Sequence, residues 1–481
     1  MRKEVPGLMT SSAYEKQIIG EIWTTDEPYR NLEHLTDVLG SRWAGSESEH
    51  AAGEYLKAKL ESYGLTNVQL QPVPFGAWTR GEELLEITSP VQKSFSIIAL
   101  PYSQTGVFES ELVDAGNGEQ EDFDKLGESI KGKIAIIAAE TNAAGVRGKL
   151  LSHRTDKLRY AVDAGAAGLI YINQNPGFLR ISGSVGNGQG GPSAIPAVGT
   201  SWEHGQAILR ELRRQESVTV KLTVGGTFNP DNVSYNVVGD IVGSKNPEQV
   251  IVFGGHYDGH DISQGALDDG AGAVVAVEAA RVLAQLPPEA IGCTLRICVF
   301  CGEEVGLYGA WGNAEWHEAK GLTNNLKFVL NLDGAGSGKG GTEWLTTHGR
   351  PELLPFFEKF IKDSHYKMRL NDELNSHSDH YPYAIRGVPT ATLRAPDDSS
   401  TLVGRGWGHT EADTFDKAHL RGLQTSAMAT ARVLLAVSNA DDFPGYRKSK
   451  ADMEAQLTDL GLDVALKRRG RWDIVGGTDQ N

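Results

Sequence analysis

Cysteine is scarce in this sequence, and the few cysteines present do not form a disulfide framework. The 481 residues include three cysteines, Cys293, Cys298 and Cys301, all within one short stretch. Cys298 and Cys301 have the CxxC spacing of some metal and redox sites. However, the surrounding "TLRICVFC" predicts a buried strand, in which positions three apart face opposite sides. We therefore expect ordinary buried thiols, which behave as small apolar side chains.

Long apolar runs are also missing. No stretch approaches the roughly 18 apolar residues of a membrane helix. The N-terminal "MRKEVPGLMTSSAYEKQ" has no apolar core of signal-peptide length. We therefore expect no membrane partner. The location is expected to be cytoplasmic if the chain is complete, and outside the cytoplasm if a leader was removed.

Positive charge is in deficit. The chain has 46 Lys and Arg against 62 Asp and Glu, a formal net charge of −16. An acidic protein is repelled by the phosphates of nucleic acid, so we expect no nucleic-acid partner.

The length predicts more than one domain, because a single core rarely grows this large. Residues 106–224 contain short β-like runs, a helix-like stretch near 148–164 and the glycine-rich loop "SGSVGNGQGGPS". We interpret them as a β-rich module inserted into a larger domain made of residues 1–105 and 225–445, followed by a tail, 446–481. The alternative is that the middle is simply part of one large domain.

The larger domain has the pattern of an α/β fold. After residue 231 the apolar strands "VIVFGG", "CTLRICVF", "LKFVLNL" and "VPTATL" alternate with helices such as "AGAVVAVEAARVLAQL". Continuous apolar strands between helices indicate a mainly parallel mixed sheet covered by helices on both faces. Residues 48–64 predict an amphipathic helix. In the tail, the basic "LKRRGR" is expected to be a solvated face.

Charged and imidazole side chains collect after these strands. Ligands of open α/β sheets bind beyond the carboxyl ends of the strands. Taken singly, each group has a simpler explanation: a histidine in a loop, an aspartate capping a helix, or an aspartate in a turn. The candidate groups at this edge are His256, Asp258, Asp268, Asp269, Glu303, Glu304, Asp333 and His409.

Their convergence favours a metal site, because several acids buried together require a cation between them. Two imidazoles with several carboxylates suit zinc. The groups are too many for one ion but suit two zinc ions about 3.5–4 Å apart that share a carboxylate. One set is then His256 with Asp333, and the other is Glu304 with His409. The shared acid is Asp268 or Asp269, and physical reasoning alone does not choose between them.

Five motifs in order resemble a known family. "GGHYD", "GALDDGAG", "CGEEVGLYG", "NLDGAG" and "GHTEADTFDK" resemble the co-catalytic zinc exopeptidases of metallopeptidase family 28, in its aminopeptidase and carboxypeptidase Q-like branch. The resemblance implies two Zn²⁺ per chain and makes Asp268 the bridging ligand. It also implies that Glu303 is the general base and Glu304 a ligand. The remaining implied ligands are His256, Asp333 and His409.

The middle of the chain resembles a protease-associated domain, through "ELVDAGNGEQEDFDKLGESIKGKIAII", "AGAAGLIYIN" and "IPAVG". The combined resemblance covers roughly residues 30–440. One departure concerns the residue before the last metal histidine, where many relatives have tyrosine and this chain has Gly408. We therefore consider Tyr381 and Tyr383 as substrate-binding residues, and expect His380 to line the site without binding metal.

The resulting hypothesis is a zinc exopeptidase that removes a terminal residue from short peptides or splits dipeptides. A water bridged by two zinc ions would attack the peptide bond, with Glu303 as general base. Asp258, two residues past His256, would fix the tautomer of that imidazole. The alternatives are a single-zinc enzyme like glutaminyl cyclases and a receptor-like relative without activity. The chain is expected to be a monomer or a homodimer.

Overall fold

The computed structural model describes residues 11–138, 152–395 and 406–477. Within these ranges the strands are Thr66–Ser89 (β1), Lys93–Phe95 (β2), Ile97–Ala99 (β3), Gly106–Asp114 (β4), Ile134–Ala138 (β5), Gly168–Ile172 (β6), Ala197–Thr200 (β7), Thr219–Ile241 (β8), Asn246–Gly254 (β9), Cys293–Val299 (β10), Leu326–Asn331 (β11), Glu343–Thr346 (β12), Met368–Asn371 (β13) and Thr390–Arg394 (β14).

The α-helices in the same ranges are Ser11–Trp23 (α1), Glu27–Glu33 (α2), Glu47–Ser62 (α3), Gln120–Leu126 (α4), Arg154–Asp163 (α5), Trp202–Arg214 (α6), Ala271–Ala284 (α7), Tyr308–Ala319 (α8), Leu354–Ser364 (α9), Tyr381–Ala384 (α10), Leu420–Asn439 (α11), Lys450–Asp459 (α12) and Asp463–Arg468 (α13). Helix α3 fits the predicted amphipathic helix, with Ser46 capping its start. Helix α5 fits the predicted helix near 148–164, whose first residues lie outside the described ranges.

The larger domain is built on a mixed, mostly parallel sheet, which confirms the predicted fold class. Its strand order is β13-β12-β14-β11-β9-β10-β8. Strand β9 lies in the middle and pairs in parallel with both β10 and β11. Helices α7 and α11 cover one face of these central strands, and other elements cover the opposite face. Strands that are covered on both faces are apolar along their whole length. Helix α7 is buried almost throughout, as is α11.

A long two-stranded ribbon connects this sheet to the inserted module. Strands β1 and β8 pair antiparallel over most of their length. The Leu70–Val237 end lies beside β10 of the larger domain, and the Leu85–Leu222 end lies beside β4 of the module. The module continues with β4, β5, β6 and β7 in parallel, and β3 closes its edge antiparallel to β7. The predicted bounds of the module, 106–224, stay a prediction.

Two expectations from composition can be compared with the structure. Cys293, Cys298 and Cys301 are free and buried, as expected for ordinary apolar thiols. In the part of the chain that the structure describes, no helix combines the length and apolarity needed to cross a bilayer.

The expectation that "LKRRGR" is a solvated face is wrong for part of that run. Arg471 lies against the ring of Trp311, with its guanidinium carbon 3.6 Å from the ring centre. Arg468 and Arg469 line the large cleft described below. The basic run turns back onto α8 because a guanidinium stacks favourably on an indole, a contact that the local sequence does not reveal.

Candidate active site

The central strands of the larger domain bring the predicted residues to one edge. His256 follows β9, Glu303 and Glu304 follow β10, and Asp333 follows β11. Because β11, β9 and β10 are adjacent and parallel, their carboxyl ends meet at the same edge of the sheet. An isolated parallel bridge between His256 and Phe300 continues the pairing of β9 with β10 beyond the ends of these two strands.

One cluster of donor atoms contains His256, Glu303 and Asp333, which lie close enough together to hold a metal ion. The Nε2 atom of His256 is 3.8 Å from Oε2 of Glu303. The hydroxyl of Ser378 donates a hydrogen bond to Oδ2 of Asp333 at 2.5 Å. Asp333 is thus held by Ser378 at one oxygen, and its Oδ1 lies 3.7 Å from the guanidinium of Arg394.

A second cluster contains His260, Glu304 and His409. Oε2 of Glu304 lies 3.0 Å from Nε2 of His260 and 3.1 Å from Nε2 of His409. Sequence reasoning missed His260. Its only local signal is the repeat of histidine in "HYDGH", where His256 and His260 flank Asp258 four residues apart.

Asp268 lies between the two clusters. Its Oδ1 is 3.6 Å from Nε2 of His256, and its Oδ2 is 3.4 Å from Nε2 of His409. The adjacent Asp269 turns elsewhere: its Oδ1 accepts hydrogen bonds from the amides of Gly272 and Gly334, at 3.2 and 3.0 Å. The geometry therefore gives the two acids of the pair different surroundings.

Asp258 organises the paired glutamates. Its two carboxylate oxygens accept hydrogen bonds from the backbone amides of Glu303 and Glu304, at 3.1 and 3.2 Å. Its Oδ1 is also 3.4 Å from Nδ1 of His256. Nδ1 of His256 is closer to the backbone carbonyl of Asp258, at 3.1 Å, so the role of this carboxylate towards the imidazole stays a prediction. The carboxylate does hold the backbone of the acid pair.

The electrostatics of the two glutamates differ. Burial raises the pKa of the Glu303 carboxyl well above its usual range; His256 opposes this shift and the Glu304 carboxylate adds to it. For Glu304, burial acts in the same direction, but the neighbouring His260 and His409 hold its pKa well below its usual range. The carboxyl of Glu304 is therefore the anionic partner of two imidazoles, whereas that of Glu303 favours binding a proton.

The donor set fits metal ions. His256 Nε2, His260 Nε2 and Glu304 Oε1 are buried and make no hydrogen bond. Buried polar atoms without partners are costly, and here they point into clusters of imidazole and carboxylate groups. Such nitrogen and oxygen donors are the ones that zinc prefers outside thiolate sites.

Two further residues support the loop that carries Asp268. The carboxylate of Asp413 accepts hydrogen bonds from the amides of Leu267 and Asp268, at 2.8 and 3.1 Å. The buried guanidinium of Arg42 donates to the carbonyls of Tyr257 and Gly265, at 2.6 and 2.7 Å. No sequence signal pointed to Arg42, because Tyr257 and Gly265 lie more than two hundred residues away from it in the chain.

The inserted module also contacts the second cluster, through its glycine-rich loop. Ser182 exchanges hydrogen bonds with His409: its amide donates to the His409 carbonyl at 2.9 Å, and its carbonyl lies 3.2 Å from His409 Nδ1. The hydroxyl of Ser184 donates to the carbonyl of Glu304 at 2.6 Å. Two serines of the module therefore help to position two residues of the larger domain.

Both clusters open into a cleft of about 2420 Å³ between the larger domain, the module and the C-terminal helices. Tyr381 and His380 line this cleft. Burial lowers the pKa of His380 to about 3, and its Nε2 bonds to the carbonyl of Asn375 at 2.8 Å. Tyr383 lies apart from the cleft: it is fully buried, and its hydroxyl donates to Asn313 at 2.6 Å.

Comparisons with known proteins match two separate parts of the chain. Residues 236–434 match the model of peptidase family M28, and residues 103–208 match that of the PA domain. Carboxypeptidase Q from Xenopus laevis is 31% identical over 315 residues, which is 63% of this chain. The match spans 64% of the length of that relative.

Solved structures show the same fold over more of the chain. The peptidase M28 precursor from Shewanella amazonensis has a TM-score of 0.78 and 26% identity, covering 90% of this chain and 98% of its own. A zinc aminopeptidase from Bacillus subtilis has a TM-score of 0.66 and 24% identity, covering 87% and 97%. The likeness therefore includes the module as well as the larger domain.

Proposed function

We propose that the chain is a member of peptidase family M28 with a PA domain, and that it is a zinc exopeptidase acting on short peptides or dipeptides. The observation that carries the proposal is the position of Asp268, whose two oxygens face histidines of different clusters. A carboxylate placed in this way can join two metal ions. We assign His256 and Asp333 to one ion, Glu304 and His409 to the other, and Asp268 to both.

The metal ions, when bound, would lower the pKa of a water and polarise the carbonyl of the scissile bond. Glu303 then accepts the proton of the attacking water and delivers it to the departing amine. Burial raises the pKa of its carboxyl, so this carboxylate is more basic than an exposed one, as the task of a general base requires.

Glu303 and Glu304 have different roles, base and ligand, because neighbouring backbone positions direct their carboxylates differently. The Glu304 carboxylate points to His260 and His409, whereas that of Glu303 points towards His256. Asp258 holds both backbone amides, so the two directions are fixed together. A carboxylate that binds metal loses basicity. We therefore assign the base to Glu303, which lies 3.8 Å from its histidine, and the ligand to Glu304, which lies 3.0 and 3.1 Å from its two histidines.

Within this class we favour an aminopeptidase or dipeptidase. The related structure from Bacillus subtilis is that of a zinc aminopeptidase, and the Xenopus laevis relative is a carboxypeptidase. The deep cleft beside both clusters is suited to one end of a peptide, and its walls include the module loop and the C-terminal helices.

A cleavage panel tests this function. Purified protein would be given dipeptides, free tetrapeptides, and tetrapeptides blocked at the amino or the carboxyl end, each with and without a zinc chelator. We expect release of amino-terminal residues or splitting of dipeptides, loss of cleavage after chelation, and recovery on adding Zn²⁺. Release of carboxy-terminal residues from free and amino-blocked peptides, with no cleavage of carboxyl-blocked peptides, would overturn the aminopeptidase assignment. No cleavage of any peptide by zinc-loaded protein would overturn the peptidase assignment.

A further inference from the structure

His260 is a buried imidazole at the second cluster that the five predicted ligands do not include. Only 2% of its surface is exposed. It lies in the loop after β9, between His256 and the start of α7, and its ring is 4.3 Å from the ring of His409, centre to centre. It therefore occupies the same pocket as the residues already assigned to metal.

The distances around His260 match those between ligands of one ion. Zinc lies about 2.0–2.2 Å from nitrogen and oxygen ligands, so two donors at a tetrahedral angle are about 3.3–3.6 Å apart. Nε2 of His260 is 3.0 Å from Oε2 of Glu304, and Nε2 of His409 is 3.1 Å from the same oxygen. The two histidines thus stand in equivalent positions relative to Glu304, each slightly closer than a bound ion would set them.

The orientation of the ring also points to a ligand. Nδ1 of His260 lies 3.5 Å from the hydroxyl of Ser182, and Trp43 stacks on the ring at 5.6 Å between centres. Nε2 makes no hydrogen bond although it is buried. Metal-binding histidines commonly have this arrangement, with one nitrogen on an outer partner and the other facing the ion.

We propose that His260 is a third protein ligand at the second metal site, beside Glu304 and His409. With Asp268 the second site then has four protein donors, whereas the first has His256, Asp333 and the shared Asp268. A four-donor site is typical of tightly held zinc, and a three-donor site leaves a position for water or substrate. The inference rests on the proposed dinuclear site and predicts that the two ions differ in affinity, with the second held more tightly.

The test compares zinc binding by the wild type, His260→Ala, His260→Gln and the control His317→Gln. His317 is a buried histidine of α8 with its own backbone partner, Asn313, and lies outside both clusters. Zinc per chain would be measured by elemental analysis during titration with a competing chelator, and histidine ligation by X-ray absorption at the zinc edge. Circular dichroism would confirm that each variant is folded.

We expect the tighter zinc step to weaken by more than about 100-fold in both His260 variants, because loss of even an outer-shell partner typically costs 10–100-fold. The mean number of histidine ligands per zinc should fall from about 1.5 to about 1. The control should match the wild type.

Two outcomes contradict the inference in different ways. If folded His260→Gln keeps both zinc steps and the same histidine ligation, His260 is no ligand, while the dinuclear peptidase site still stands. If the wild type itself holds no more than one zinc, the dinuclear assignment and this inference both fail. Both readouts measure metal rather than peptide cleavage. A His260 variant that keeps its zinc therefore contradicts the inference even if it has lost activity.

Discussion

All the assigned metal ligands lie in the larger domain, whereas the inserted module reaches the same site with two serines of a loop. The larger domain places His256, Glu304 and Asp333 at the ends of β9, β10 and β11, and Asp268 and His409 in the loops before α7 and α11. The module supplies Ser182 and Ser184, which bond to backbone or ring atoms of those groups. The comparison separates residues that bind metal or react from residues that hold them in place.

The largest expected effect is on the shared acid of the larger domain. Asp268→Asn should reduce zinc from two ions to one or fewer, because an amide nitrogen cannot donate a lone pair to the second ion. The loss of several kcal/mol of transition-state stabilisation corresponds to about 10³-fold or more in turnover. Elemental analysis and peptide assays measure the two effects. Asp269→Asn, at the neighbouring acid, should keep both ions, and an equal loss in the two variants would contradict the assignment.

The module loop should have a smaller effect at the same site. Ser184→Ala removes the hydrogen bond to the Glu304 carbonyl, and we expect a loss of about 10–100-fold in metal affinity or activity, as for other outer-shell partners. Ser193→Ala is the matched control, because Ser193 is a buried serine of the same loop that bonds to Ile195 instead. Equal losses in both variants would show that the loop acts only through its folding.

The contacts that join the two domains should have a smaller effect again. The amide of Arg180 in the module donates to Glu411 of the larger domain at 3.0 Å, and its guanidinium contacts the same carboxylate. Both side chains are about 30% exposed, so solvent weakens the pair. A double-mutant cycle with Arg180→Ala and Glu411→Ala in denaturant unfolding should give a coupling of about 0.5–1 kcal/mol. A coupling of zero would show that this pair does not help to hold the module in place.

The smallest expected effect is a pH dependence of stability from Glu49 of α3, whose carboxyl accepts hydrogen bonds from the Ser234 hydroxyl and the Gly45 amide. Burial and the nearby Asp258 carboxylate raise the pKa of Glu49 to about 8. The folded chain then binds more protons than the unfolded chain at pH values between the ordinary value of about 4.3 and 8, so this contribution to stability is full at low pH and is lost as pH rises. Glu49→Gln should flatten the decline of unfolding free energy over that window. The exposed Glu54→Gln should leave it unchanged, and an unaltered decline in Glu49→Gln would refute the assignment.

The sequence predicted the residues at the edge of the sheet better than the contacts between segments that are far apart in the chain. Strand ends such as His256 and Asp333 could be located because the apolar pattern sets the strands and parallel pairing aligns their ends. The length of the ribbon was not predicted: β1 runs from Thr66 to Ser89. Its length depends on pairing with β8, which lies far away in the chain.

The missed residues of the site share one cause. His260, Ser182 and Arg42 act through partners brought near them only by the fold, and none stands directly after a predicted strand. The local sequence around His260 indicates only a second histidine in a loop. Only its distance to Glu304, on another strand end, shows that it shares a pocket with the predicted ligands.

The division of labour between Glu303 and Glu304 is the central claim, and one paired measurement tests it most directly. Zinc per chain and turnover would be measured side by side for Glu303→Gln and Glu304→Gln. The account predicts that Glu303→Gln keeps two zinc ions while turnover falls by about 10²–10⁴-fold, the usual contribution of a general base. Glu304→Gln should lose zinc from the second site. Full turnover in Glu303→Gln, or loss of zinc from Glu303→Gln and not from Glu304→Gln, would contradict the account.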